Sequence, residues 1–213
     1  VKENKIINDL AIATCDNVIY DYINSIGGRS VMTSEKHERA SDRCAEALLK
    51  IENEDNKKYD IVIMVQGDEP MIHPGMITEA IQPLQNDQDI LVTNLLGRIK
   101  SKEEFEDPNC IKVVCDLNGD ALYFSRAPIP NSSKINNVTR GKQICVIPFQ
   151  RDFLLKYNQL KPTPLEIAES IDMLRVLEYG LKVKMVPTKH QTHSVDTQND
   201  LLKVEAALDV YFS

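Results

Sequence analysis

Two acidic residues far apart in the chain stand where a divalent cation could be held: Asp68, in Gln66-Gly67-Asp68-Glu69-Pro70, and Asp196, in Ser194-Val195-Asp196-Thr197. The first follows the nearly all-apolar run 59–65, which puts it just past the carboxyl end of a strand, where open α/β sheets place their ligands. The second falls between the last expected strand and the last expected helix. A hard cation such as Mg2+ takes one or two carboxylates from the protein and leaves its other positions to phosphate oxygens and water, so the pair suits a site that handles a nucleotide. Each acid also has a simpler reading, a solvated turn for Asp68 and a helix cap for Asp196.

The elements that must position these residues alternate along the chain. Short apolar runs at 10–14, 30–32, 59–65, 90–95, 111–115, 121–124, 144–147 and 182–186 predict strands, and amphipathic stretches at 17–26, 43–52, 74–84, 151–160, 164–178 and 201–208 predict helices. That order predicts an α/β fold with a mainly parallel central sheet and helices on both faces. Antiparallel strands are expected in the second half, where Asn118-Gly119 marks a hairpin. Residues 59–65 are expected near the middle of the sheet, Ser41 or Asp42 at the cap of the second helix, and 131–142 in a polar, mobile loop. No repeat or linker divides residues 1–213, so a single domain is expected.

Composition narrows the partners. Of the 213 residues 42% are hydrophobic and 27% charged, as in a globular domain with a real core. A net charge of −7, from 25 Lys+Arg against 32 Asp+Glu, argues against a nucleic-acid binder. An anionic ligand must then be met by a few placed cations. No apolar run approaches the ~18 residues of a membrane-spanning helix, and Val1-Lys2-Glu3-Asn4-Lys5 does not open a signal peptide. Five cysteines without a C-x-x-C pair read as buried thiols in a reducing, cytoplasmic setting. The four histidines are dispersed, without the spacing of a zinc site.

Three segments carry a resemblance: Val65-Gln-Gly-Asp-Glu-Pro-Met-Ile72, Ala121-Leu-Tyr-Phe-Ser-Arg-Ala-Pro-Ile-Pro130 and Val195-Asp-Thr197. Together with Val31-Met-Thr33, Ser41-Asp-Arg43-Cys-Ala-Glu46, Asp107-Pro-Asn109, Lys112-Val-Val114, Pro164-Leu-Glu166 and Leu174-Arg-Val-Leu177, the chain resembles the 3-deoxy-manno-octulosonate cytidylyltransferases over nearly its whole length. The resemblance implies a fold of the nucleotide-diphospho-sugar transferase type. It also implies attack by the anomeric hydroxyl of a 2-keto-3-deoxy sugar acid on the α-phosphate of CTP, releasing pyrophosphate. Such a displacement asks little covalent chemistry of the protein, so charge and alignment must supply the catalysis.

By the same resemblance Asp68 and Asp196 are Mg2+ ligands, Ser41 and Arg43 lie along the nucleotide, and Gln66 lies beside the reacting centre. Arg126, Gln143, Glu166 and Glu169 would surround the sugar acid. A guanidinium fork meets a carboxylate with two parallel hydrogen bonds, which suits Arg126, although a surface pairing with Asp152 or Glu166 is the alternative. Glu166 and Glu169, three apart on one helix face, either accept from sugar hydroxyls or form a solvated face. Asp172 and Arg175 read as a surface ion pair. A homodimer is implied as well, built by the second half through the apolar stretch 145–149.

Three departures from the family pattern set further expectations. The family's amino-terminal strand, with its Pro-Ala-Arg, Ser-x-Arg and Pro-Gly-Lys-Pro-Leu signature, does not occur in the sequence. Weak CTP binding by these residues is therefore expected, and a non-catalytic binding or regulatory relative stands as the alternative to the enzyme. Arg39-Ala40-Ser41 stands where Ser-Gly-Thr is usual. Gln143 and Phe149 replace a His and a Tyr near the expected sugar site, which leaves the identity of the sugar acid open.

Overall fold

The computed structural model describes residues 1–131 and 140–212, so the middle of the expected loop at 131–142 lies outside the described residues. The elements in order are β1 (Ile12–Thr14), α1 (Asn17–Ser25), β2 (Ser30–Met32), α2 (Ala40–Asp55), β3 (Ile61–Val65), α3 (Pro74–Asn86), β4 (Thr93–Arg98), α4 (Lys102–Glu106) and β5 (Lys112–Cys115). There follow β6 (Ala121–Ser125), β7 (Gly141–Ile144), β8 (Val146–Gln150), α5 (Arg151–Tyr157), α6 (Pro164–Glu169), α7 (Met173–Glu178), β9 (Lys184–Pro187) and α8 (Gln198–Phe212). Local signals account for several boundaries. The Asp16 carboxylate accepts from the Val18 and Ile19 amides to start α1, and Gly27, at φ 75, lets the chain leave it. Short α4, which the apolar pattern does not predict, begins where Ser101 Oγ accepts from the Glu104 amide at 3.0 Å.

The expected α/β class holds, with antiparallel pairing in the second half. β1 pairs parallel with β2, β3 antiparallel with β8, and a five-stranded sheet runs β6-β5-β7-β4-β9 with only β4–β9 parallel. The antiparallel share exceeds the mainly parallel arrangement expected, for a physical reason. A single run of chain, broken at Cys145, lies against β4 as β7 and against β3 as β8, and it runs opposite to both. Consequently β3 is not the centre of a wide sheet; among the described residues its one ladder is with β8. The five-stranded sheet curls far enough that Asp120, beside β6, bridges Lys184 on β9.

Two apolar clusters hold the layers together. One joins Phe124, Phe149, Phe153, Leu154, Tyr157, Leu174 and Val176; the other joins Met76, Ile77, Ala80, Leu95, Ile144 and Val146, with Ile61, Ile63 and Val65 packed on it. Each fully buried Leu, Ile or Phe contributes ~1.5–3 kcal/mol. Residues 146, 147 and 149 belong to this interior, which corrects the expectation that 145–149 forms a dimer face. Helix α2 packs against β1, β2 and β3.

The helix expected over 164–178 is two helices. Ser170 takes the left-handed conformation (φ 55, ψ 50) at the end of α6, and α7 starts at Met173. The break lets Glu166 turn inward to meet Arg175 in two hydrogen bonds, Nε to Oε2 at 2.7 Å and Nη2 to Oε1 at 2.5 Å. On a continuous helix nine residues would separate the two by about 13.5 Å.

Candidate active site

The loop after β3 is stitched to the break between β7 and β8. The Gln66 amide donates to the Cys145 carbonyl at 3.1 Å, and the Cys145 amide donates to Glu69 Oε1 at 3.1 Å. Between these anchors lies Asp68. Its carbonyl accepts from the Val195 amide at 2.8 Å, which brings the Asp196 segment onto the loop. Asp68 Oδ1 is buried and meets no hydrogen-bond donor. Burial, and next the charge of Asp196, hold the Asp68 carboxyl above the usual carboxylate range.

Asp196 is exposed and does not cap α8. That role belongs to Thr197 and Asp200, which exchange side-chain to main-chain hydrogen bonds at 3.3 and 3.0 Å. Asp196 is left with Ser194 Oγ, 3.1 Å away. A pair of carboxylates, one with an orphaned oxygen, fits a hard cation and leaves its other positions to phosphate and water.

On the nucleotide side, Arg43 Nη1 donates to Thr33 Oγ1, which in turn donates to the Thr14 carbonyl at 3.1 Å. The guanidinium is thus held at the ends of β1 and β2. Contrary to the expectation from sequence, neither Ser41 nor Asp42 caps α2; the cap position is Arg39, whose side chain makes no capping bond. Ser41 sits inside the helix, fully buried, with its hydroxyl donating to Asp172 Oδ2 at 2.8 Å. Ser41 therefore faces the interior rather than a nucleotide.

The residues expected around the sugar acid divide. Arg126 is half-buried at the end of β6, with Nε donating to the Glu169 carbonyl at 2.7 Å, Nη1 to the Pro108 carbonyl at 3.0 Å and Nη2 to the Ser170 carbonyl at 3.5 Å. Each terminal nitrogen keeps a second N–H. It pairs with neither Asp152 nor Glu166. Glu169 fixes this end of β6, accepting from Ser125 Oγ at 2.8 Å and from the Arg126 amide at 2.8 Å. Glu166 is fully buried and taken by Arg175, so it neither reaches a sugar nor forms a solvated face. The expected surface pair of Asp172 with Arg175 gives way to this buried one. Gln143 is half-buried and donates to Asn94 Oδ1 at 2.6 Å.

Several supporting groups escaped the sequence reading. Glu69 is buried beside Asp68, its carboxyl raised by burial, with Oε2 unpaired. Fully buried Lys112 donates to the carbonyls of Asp107 at 2.8 Å, Cys110 at 2.7 Å and Arg126 at 2.5 Å, and burial lowers its pKa. It thereby carries the backbone of Arg126. Lys142, paired with Glu104 at 2.6 Å, also donates to the Thr192 carbonyl at 3.3 Å, holding the chain that leads to Asp196. Apolar periodicity signals none of these, because it does not report which polar groups a charged side chain meets.

An α/β frame that sets two carboxylates and a placed arginine at strand ends defines a nucleotidyltransferase-type site. The profile described as cytidylyltransferase matches residues 1–185, and the chain belongs to that family. A 3-deoxy-manno-octulosonate cytidylyltransferase of Geobacter metallireducens is 42% identical over 210 residues, covering 93% of this chain and 80% of the relative. The solved structure of a CMP:2-keto-3-deoxy-manno-octonic acid synthetase complexed with CTP superposes with a TM-score of 0.88 at 32% identity, over 99% of this chain and 84% of that one. A 4-diphosphocytidyl-2C-methyl-D-erythritol synthase, 8% identical with a TM-score of 0.62 over 97% of this chain and 84% of its own, shares the fold alone.

Proposed function

We propose that the protein transfers CMP from CTP to 3-deoxy-manno-octulosonate or a closely related 2-keto-3-deoxy sugar acid, releasing pyrophosphate. The observation that carries the reading is the junction of Asp68 and Asp196, held by the Val195 to Asp68 hydrogen bond, with Asp68 Oδ1 unpaired. Family membership and the relatives above support the same reading, and they lend the non-catalytic alternative no support.

Asp68 and Asp196 would hold Mg2+, which supplies neutralisation of phosphate charge as the anomeric oxygen attacks and pyrophosphate leaves. The chain's own groups orient the reactants. Arg43 lies along the nucleotide, Gln66 beside the α-phosphate, and the free N–H groups of Arg126 face the sugar carboxylate. Glu169 and Lys112 hold the Arg126 backbone, and Gln143 completes the sugar side. No described helix is long and apolar enough to cross a membrane. A single domain over 1–213, a homodimer and a cytoplasmic setting complete the proposal.

The test is pyrophosphate release from CTP, Mg2+ and 3-deoxy-manno-octulosonate. Release that requires all three is expected. Sugar-independent release, or none with any 2-keto-3-deoxy acid, would overturn the reading.

A further inference from the structure

Arg39 belongs by position to the nucleotide side, since it forms the cap of α2 and its carbonyl accepts from the Arg43 amide at 3.3 Å. Its guanidinium nevertheless leaves that side. Nη1 donates to Ser170 Oγ at 3.0 Å, and Nε lies 3.7 Å from both Glu166 Oε1 and Asp172 Oδ1. The turn it reaches, Glu169-Ser170, is the one whose two carbonyls are held from the other side by Arg126. Ser41, two residues on, makes a second tie to Asp172.

Two further features indicate that this bridge matters. Ser170 is a non-glycine residue at φ 55, a conformation that persists only when its surroundings over-determine it. Arg39 on one side and Arg126 on the other supply that constraint. The charges of this cluster also balance, with Glu166 and Asp172 opposite Arg175 and Arg39. Without Arg39, Asp172, whose carboxyl burial already holds above the usual range, would lose its nearest cation.

We propose that Arg39 is a positioning residue that couples the nucleotide side of the site to the sugar side. Ordering the segment 39–43 around a nucleotide fixes the Ser170 turn through Arg39, and the turn fixes the Arg126 guanidinium for the sugar carboxylate. The coupling is reciprocal, because two ligands that favour one arrangement each strengthen the other's binding by the same factor. The inference rests on the proposed function, which places CTP at Arg43 and the sugar acid at Arg126.

The test measures 3-deoxy-manno-octulosonate binding by titration calorimetry, with and without the α,β-methylene analogue of CTP and Mg2+, which does not turn over. Wild-type protein should bind the sugar acid at least about fivefold more tightly when the analogue is present. Two variants break the bridge differently. Ser170→Ala removes one hydrogen bond, and Arg39→Met with Asp172→Asn removes a cation and an anion together, which keeps the charge of the cluster balanced. In both, the enhancement should fall below about twofold, while the affinity for each ligand alone changes little. A wild-type enhancement retained in both variants would overturn the coupling. Equal weakening of every binding step, with a lowered Tm, would make Arg39 merely structural. Failure of the analogue to bind wild-type protein would instead sink the proposed function, and this inference with it.

Discussion

The Val195 amide donates to the Asp68 carbonyl at 2.8 Å, so a main-chain hydrogen bond joins the two segments that carry the acids. Side-chain attraction cannot do this, because Asp68 and Asp196 repel. The backbone bond, with Lys142 holding Thr192 upstream, imposes an approach that a bound cation would relieve.

Asp68→Asn should therefore stabilise the metal-free protein while ending its response to metal. The sign follows from the pKa: a carboxyl raised in the folded state binds its proton more tightly than in the unfolded chain, so ionisation opposes folding above the folded pKa. A higher Tm than wild type is expected at pH 7, in the absence of metal. Mg2+ should raise the Tm of wild-type protein, EDTA should reverse that gain, and neither should move the variant. Turnover should be lost in Asp68→Asn and Asp196→Asn alike, and normal turnover in either would remove that residue from the site.

Glu166→Gln tests whether the buried pair is structural. Breaking one partner of a buried ion pair leaves the other charge uncompensated, at a cost of ~3–5 kcal/mol, and the urea midpoint should fall accordingly. A variant as stable as wild type but unable to bind the sugar acid would return Glu166 to the sugar site.

Much of this architecture was legible in the sequence because it rests on local signals. Apolar runs located β1, β2, β3, β5 and β6, and Asn118-Gly119 located the hairpin, where Gly119 sits at φ 80. The acids of the loop after β3 and of the Val195-Asp-Thr197 segment come together as their strand-end positions suggested. The errors arose where distant partners decide the outcome. The 164–178 pattern reads as one helix until Arg175 draws Glu166 inward, and Ser41 reads as a cap until Asp172 takes its hydroxyl. The stretch 144–147 reads as one strand because nothing local shows that Cys145 must exchange partners between β4 and β3.

Acid should erode one further contact predictably. Glu46 is pulled down to about 2 by Lys50, then by the Ser34 amide, with His37 adding to them. A carboxyl lowered in the folded state contributes stability above its unfolded value, about 4.3, and that contribution is lost as pH falls towards about 2. The group is partly exposed, so solvent screens it, and Glu46→Gln should cost ~1 kcal/mol at pH 7. Urea midpoints of the two proteins should converge as pH is lowered to about 3, in the window between those two values. A gap that stays constant with pH would show that the carboxylate charge contributes nothing.

Arg126→Lys should separate sugar-acid binding from nucleotide binding. Three N–H groups of the guanidinium are spent on the carbonyls of Glu169, Pro108 and Ser170, so the side chain is held in one orientation with two donors unused. A carboxylate can take one bond from each terminal nitrogen. Lysine keeps the charge but has neither the fork nor enough donors to hold its place and bind a ligand together. The KM for 3-deoxy-manno-octulosonate should rise about tenfold, equivalent to ~1.4 kcal/mol, while that for CTP stays within about twofold. Because the same guanidinium braces the Ser170 turn, a small fall in Tm is expected too. A purely structural arginine would give that fall with both KM values raised together, and steady-state kinetics with each substrate varied in turn distinguishes the two outcomes.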